Sequence, residues 1–481
     1  MHIAQTLLLL SLPVLALSNV LPPGTPGIDT QNDRLNDGKS VIALLFQWSW
    51  DSIAAECTNF LGPNGYQAVL TSPPMEHVAA EGWFNDYSVV TYNLTSRHGS
   101  RDQFQNMIHT CHAAGLERLL DVILNHMTDQ SAGGIGFAGS AYSHYDHAGL
   151  YQTTDFHHCG LETDDEIVYY TDNSTRTEIQ NCELFNHADL RTDTEYVRTR
   201  LAEYLNDLIS LGLDGFRLDA ARHIPQKDLK NILSRMTSKP YITQQTIFGS
   251  PVQPEEYLPN GQFRYTTALQ EAFLAKGISE LRDMENKGWV PGSQANVFVA
   301  DHDTERNNHS LSYQSPNHTY FLASYFLLAY PYGRPTILSG YAFSFSMTGA
   351  GSPNGGVGTC NGTNGVNGWL CQHRYTGITG MVGFRNSVGN TALTDWVAPS
   401  SQQIAFGRGS RGFIAINNGD SDWTTMFKTS MRDGVYCNVI DGAKRSDNTC
   451  TGSSFTITQG RFSASVPARR AIAIHVGTVV Q

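Results

Sequence analysis

At 481 residues the chain exceeds what one hydrophobic core usually holds, roughly 250–300 residues, which excludes a simple single-core domain and leaves several domains or a large barrel with additions. With 40% hydrophobic and 16% charged residues the composition is that of a folded globular protein. The net charge of −12 disfavours nucleic acid and anionic membranes as partners, and suits a neutral polymer.

Residues 1–18 hold a short apolar run, Leu7 to Leu12, and leave through Ala16-Leu17-Ser18, the pattern of a signal peptide. That run is too short to span a bilayer, and no later segment offers the roughly 18 uninterrupted apolar residues a membrane helix needs. An exported, extracellular protein is expected. Its eight cysteines agree, because thiols pair in an oxidising environment; none falls in a zinc-ligand spacing, and the residues alone leave the pairing open. Sequons at Asn93, Asn173, Asn308, Asn317 and Asn361 point the same way.

Past the leader a β-then-α rhythm sets in. Residues 41–46, 68–71 and 119–124 are apolar runs of buried-strand type. A helix follows around Tyr204, with Leu201, Leu205, Leu208 and Ile209 on one face and Gly212 as its stop, and then a strand at 213–218. Short strands fit at 241–243, 297–299 and 336–338. Residues 127–189 carry no sustained period and read as an insertion after the third strand. After about residue 390 only short alternating runs remain, at 413–416, 455–457, 462–466 and 471–474, as in an antiparallel sandwich. The expected fold is α/β: a (β/α)8 barrel over 19–126 and 190–389, an inserted domain at 127–189, and a C-terminal β-sandwich over 390–481.

In Gly215-Phe216-Arg217-Leu218-Asp219-Ala220 the strand period sends Arg217 and Asp219 to one face, and an arginine beside a carboxylate favours the ionised form that a nucleophile needs. Asp301-His302-Asp303 follows another strand and Asn125-His126 a third. In a parallel barrel such strand ends converge on one face, where catalytic groups gather.

These segments, with Asp121-Val122-Ile123-Leu124-Asn125-His126 and Phe298-Val299-Ala300-Asp301-His302-Asp303, resemble three recurring motifs of the α-amylase family, glycoside hydrolase family thirteen. Phe46-Gln47-Trp48-Ser49-Trp50, residues 71–78, residues 381–386 and residues 405–409 resemble its animal-type branch, so the likeness covers nearly the whole mature chain. The resemblance implies endo-hydrolysis of α-1,4-glucan, with starch, glycogen and maltooligosaccharides as partners; the sequence is silent on oligomeric state, and a monomer is the simplest expectation. It assigns Asp219 as nucleophile, Arg217 as its charge partner and Asp303 as the carboxylate that stabilises the oxocarbenium-like transition state. His126 and His302 would hydrogen-bond the sugar, Trp83 and Tyr87 would form an aromatic platform, and Arg222 would contact sugar. It also implies calcium, held by Asn125, Asp189 and the backbone carbonyls of Gln180 and His223. The disulfides would be Cys57–Cys111, Cys159–Cys182, Cys360–Cys371 and Cys437–Cys450.

Two departures matter. The family's general-acid glutamate is replaced by Gln245, and an amide cannot protonate a leaving oxygen, a step worth roughly 10²- to 10⁴-fold. Glutamine is nearly isosteric with protonated glutamic acid, so binding should survive; an inactivated variant of an active enzyme is favoured over a natural pseudoenzyme. Asp301 stands where chloride-activated animal enzymes have asparagine, so no chloride is expected. A non-catalytic starch-binding protein and a related α-glucosidase or glucanotransferase are the competing readings.

Overall fold

The computed structural model describes residues 38–147, 149–161, 165–167, 175–344 and 349–480; the expected signal peptide and the sequon at Asn173 lie outside them. Eight strands form a closed barrel: β1 (Ile42–Leu45), β2 (Ala68–Thr71), β3 (Glu117–Ile123), β4 (Gly215–Asp219), β5 (Tyr241–Gln244), β6 (Asn260–Gly261), β7 (Ala295–Phe298) and β8 (Arg334–Ser339). Each pairs in parallel with its neighbours in sequence, and β1 closes on β8. A parallel strand wrapped by helices is covered on both faces, which is why β1 and β2 are buried at every position.

The helices are α1 (Trp50–Glu56), α2 (Arg101–Ala113), α3 (Arg176–Asn181), α4 (Glu195–Ser210), α5 (Gln226–Ser234), α6 (Phe263–Glu271), α7 (Thr319–Ala329) and α8 (Thr376–Val388). In α2 a capping box between Ser100 and Gln103 starts the helix, and Phe104, Met107, Ile108 and Cys111 bury one face. Thr194 caps α4, whose chain then turns at Gly212 with φ 100°, a conformation glycine adopts without strain.

Between β3 and α4 the chain leaves the barrel. It forms a small antiparallel ladder (Gly134–Ile135, Ala141–Ser143, Asp146–His147) and the short α3, tied by the Cys159–Cys182 disulfide. It comes back through an antiparallel bridge between His126 and Asp189, flanked by Met127 N–H to Ala188 O (3.0 Å) and Leu190 N–H to Asn125 O (2.9 Å).

The C-terminal strands are β9 (Leu393–Ser400), β10 (Gln403–Arg408), β11 (Gly412–Asn417), β12 (Trp423–Lys428), β13 (Gly434–Cys437), β14 (Ser454–Ile457), β15 (Arg461–Val466) and β16 (Arg470–His475). A four-stranded antiparallel sheet, β9-β10-β11-β16, faces the ribbons β12–β15 and β13–β14. Phe413, Ala415, Ile472 and Ile474 point into this sandwich against Trp423, Phe427 and Phe462, while Ile404, Phe406, Ile414 and Ile416 join the core of the barrel. All four disulfides implied by the resemblance are present, and no cysteine is left free. Among the described residues no helix is long and apolar enough to cross a membrane.

Candidate active site

The barrel register sets the site. Asp121 on β3 pairs with Arg217 on β4, and Ile123 with Asp219, so period-two alternation puts Asp121, Arg217 and Asp219 inside while Phe216 and Leu218 pack outward. One guanidinium nitrogen, Arg217 Nη1, donates to both oxygens of Asp121 (2.8 and 2.7 Å) and to Asp219 Oδ1 (3.0 Å). Burial pushes the carboxyls of Asp121, Asp219 and Asp303 upward and Arg217 pulls each back. One guanidinium thus serves all three.

Gln245 follows β5. Its backbone N–H donates to Leu218 O (2.9 Å), and its side chain links the two carboxylate-bearing segments: Oε1 accepts from the N–H of Ala220 (3.0 Å) and Nε2 donates to Asp303 Oδ2 (3.2 Å). Ala220, directly after Asp219, has φ 47°, a left-handed conformation a non-glycine residue holds only under constraint. Asp303 rides on a helical turn that Asp301 caps, Oδ1 accepting the N–H groups of Asp303 (3.1 Å) and Thr304 (2.8 Å).

Aromatic rings close one side. The His302 imidazole stacks on Phe46 (centroids 4.7 Å apart, 10° between planes) and on Tyr87 (5.5 Å), with Trp83 edge-on at 5.5 Å. Burial, then Arg217, pushes His302 down to about 3, so it is neutral near pH 7. Burial and Asp121 hold the Tyr87 phenol protonated, and its hydroxyl donates to Asp121 Oδ2 (3.0 Å). His302 Nε2–H must therefore donate to the Tyr87 oxygen (2.9 Å), and this nitrogen also lies 3.6 Å from Asp303. His126 is fixed by Tyr87 O (3.1 Å) and by the His187 ring at 4.4 Å. Asp121, Arg217, Gln245, Asp301 and His302 all line one small cavity in the barrel mouth, whereas Arg222 turns aside and donates to the carbonyls of Gly249 (3.2 Å) and Ser250 (3.0 Å).

Of the four residues named for calcium, Asn125 and Asp189 touch, and Gln180 and His223 come together across α3. Asn125 Nδ2 donates to Asp189 Oδ1 (3.1 Å). On the other side His223 Nδ1 donates to Ile179 O (2.9 Å), next to Gln180 at the C-terminal end of α3, where helix carbonyls lack intrahelical partners. Asp189 is 1% exposed and burial pushes its carboxyl up to about 7 against the pull of His157, so its ionised form is costly there and a bound cation would favour it. Elsewhere, Glu56, Cys360 and His373 cluster, but Cys360 is bonded to Cys371, and Glu56 is engaged by His373 and Arg374.

Sequence reasoning gave no role to Asp121, although it sits in a quoted motif and the register places it beside Arg217. It also passed over His187, His157, which lies 2.7 Å from Asp189, Arg306, and the buried network in which Asp86 accepts from His98 Nε2 (2.7 Å) and Gln47 Nε2 and forms an ion pair with Arg97 Nε (2.7 Å). Loops bring these groups together, and no periodic signal marks them.

Residues 64–251 match the alpha amylase catalytic domain and residues 395–477 the alpha amylase C-terminal all-beta domain. An α-amylase of Thermomonospora curvata is 41% identical over 457 residues, covering 91% of this chain and 73% of that protein. An alpha-amylase-related protein of Drosophila bipectinata is 37% identical over 454 residues, 87% and 89% of the two chains. The crystal structure of α-amylase I from Eisenia fetida, solved as wild type and as a glutamate-to-glutamine mutant with maltohexaose, has a TM-score of 0.83 at 32% identity, covering 91% of this chain and 97% of that one. With three barrel-borne carboxylates around one arginine, and relatives of this identity along most of its length, the chain belongs to the α-amylase family of glycoside hydrolases.

Proposed function

We propose that this protein is an endo-acting α-amylase that hydrolyses α-1,4-glucosidic bonds in starch, glycogen and maltooligosaccharides with retention of configuration, and that Gln245 holds it without turnover. The observation that carries the reading is the position of Gln245, which joins the turn after Asp219 to Asp303. In double displacement Asp219 attacks the anomeric carbon, a glutamic acid at 245 protonates the leaving oxygen and later activates water, and Asp303 supports the charge. A protonated glutamic acid would keep both contacts: its carbonyl would accept from Ala220 and its O–H would replace the amide donor to Asp303. The amide offers no such proton, so turnover falls about 10²- to 10⁴-fold while the glucan still binds. A glutamate-to-glutamine mutant of the earthworm enzyme in complex with maltohexaose supports that retention of binding.

We read the barrel (19–126 and 190–389) as the catalytic domain, 127–189 as a calcium-holding insertion and 390–481 as the C-terminal domain. Asn125, Asp189 and the carbonyls of Gln180 and His223 would hold the ion, an all-oxygen set suited to a hard cation, and bound calcium would clamp the insertion to the barrel. Chloride has no part in this reading, because the Asp301 carboxylate lies in the same cavity as Arg217. A leader at 1–18 and four disulfides support secretion.

The test is Gln245→Glu assayed on soluble starch, with products resolved by length and anomer. Recovery of rate with α-configured oligosaccharides supports the amylase. Persistent inactivity with intact starch binding favours a non-catalytic starch-binding protein, the reading that Gln245 itself suggests. Single glucose units or transfer products would favour the α-glucosidase or glucanotransferase.

A further inference from the structure

Arg306 stands in a run of polar residues, Thr304-Glu305-Arg306-Asn307-Asn308, that in sequence looks like a solvated turn. It is instead 7% exposed, and its guanidinium lies within cation–π range of four rings: Phe343 (4.5 Å), Phe46 (4.9 Å), Tyr341 (5.2 Å) and Trp83 (5.5 Å). Its Nη1 donates to the carbonyl of His302 (2.8 Å) and to Glu305 Oε1 (2.7 Å), whose side chain is itself 1% exposed. Phe46 is shared: one contact is Arg306, another the parallel His302 imidazole, and Trp83 meets it edge-on at 5.5 Å.

From this geometry we infer that Arg306 is a positioning residue for the reaction, holding the Trp83 platform and the His302 imidazole in one fixed relation at the glucosyl unit being cleaved. The inference rests on the α-amylase reading. Arg306 acts on His302 through its backbone carbonyl and the Phe46 face, and on Trp83 through its ring. A buried cation caged this way needs its carboxylate, and Glu305 supplies it; removing the arginine alone would strand that buried charge.

The experiment uses the Gln245→Glu enzyme as parent and compares it with Arg306→Lys and with the charge-balanced Glu305→Gln/Arg306→Met, measuring kcat and KM separately on maltoheptaose after confirming cooperative unfolding. The double variant is expected to lose about 10- to 100-fold in kcat, the size produced when a reacting geometry slips by about 1 Å, with KM changed less than about threefold. Lysine keeps a cation in the cage and one donor for the His302 carbonyl, so it is expected to restore part of that loss but not all. A folded double variant with parental kcat, or an Arg306→Lys enzyme indistinguishable from its parent, overturns the inference even if the double variant fails to fold. If the parent itself does not cut maltoheptaose, the α-amylase reading has failed first, and the inference falls with it for that separate reason.

Discussion

Asp121 is the sharpest place to perturb the site, because it shares a single nitrogen of Arg217 with Asp219, the proposed nucleophile. Its Oδ1 and the Oδ1 of Asp219 lie 2.8 and 3.0 Å from that nitrogen, so the two carboxylates are no more than about 5.8 Å apart. At an effective dielectric of about 20, two unit charges at that separation repel by about 3 kcal/mol, which corresponds to about 2 pH units. The Asp121 charge raises the carboxyl of Asp219, so Asp121→Asn removes the repulsion and lowers it. In the proposed mechanism Asp219 must be ionised to attack, and the acid limb of the pH profile would report that ionisation. In the Gln245→Glu background the acid limb of kcat/KM on a soluble maltooligosaccharide should therefore move to lower pH by about 2 units. An acid limb that stays in place or moves to higher pH refutes the argument that Asp121 and Asp219 compete for one guanidinium.

On the calcium reading, a chelator should lower the thermal midpoint and added calcium should restore it, stabilising the fold by about 2.7 kcal/mol at a hundredfold excess over Kd, while Asp189→Asn should abolish the response; calorimetry with and without chelator checks this. Glu56→Gln should cost about 3–5 kcal/mol in denaturant unfolding, since it takes the carboxylate from buried His373 and half-buried Arg374. Burial works to raise Glu56, but His373 and Arg374 hold it down to about 2 from 4.5, so its stabilisation is full above 4.5 and fades as pH falls toward 2; the Glu56→Gln protein should lack that acid-dependent loss. Adding chloride to the Gln245→Glu enzyme should leave kcat/KM unchanged, and a several-fold rise would count against the Asp301 argument.

What the sequence disclosed depended on how each residue is buried. Strands covered on both faces announced themselves as apolar runs, and β11 did so because Phe413 and Ala415 face the sandwich while Ile414 and Ile416 face the barrel. The sixth barrel strand did not: β6 is two residues, Asn260 and Gly261, joined to β5 by the single pairing of Gln244 with Asn260, too short and polar for any period to register. Arg217 and Asp219 were legible because two-residue alternation is a local rule. Asp86, Arg97 and His98 were not, since only the path of a loop makes them neighbours. Arg306 misled in the opposite sense: its sequence neighbours are polar, yet rings from remote segments enclose it.

The bridge through which the insertion rejoins the barrel pairs His126 with Asp189, so on the function proposed above one closure of the chain would serve both a sugar contact and an ion ligand. On that reading, filling either place would steady the other. Reciprocity then obliges glucan to tighten the hold on the ion by the same factor as the ion tightens the hold on glucan, and a titration of either in the presence of the other would read that shared factor directly.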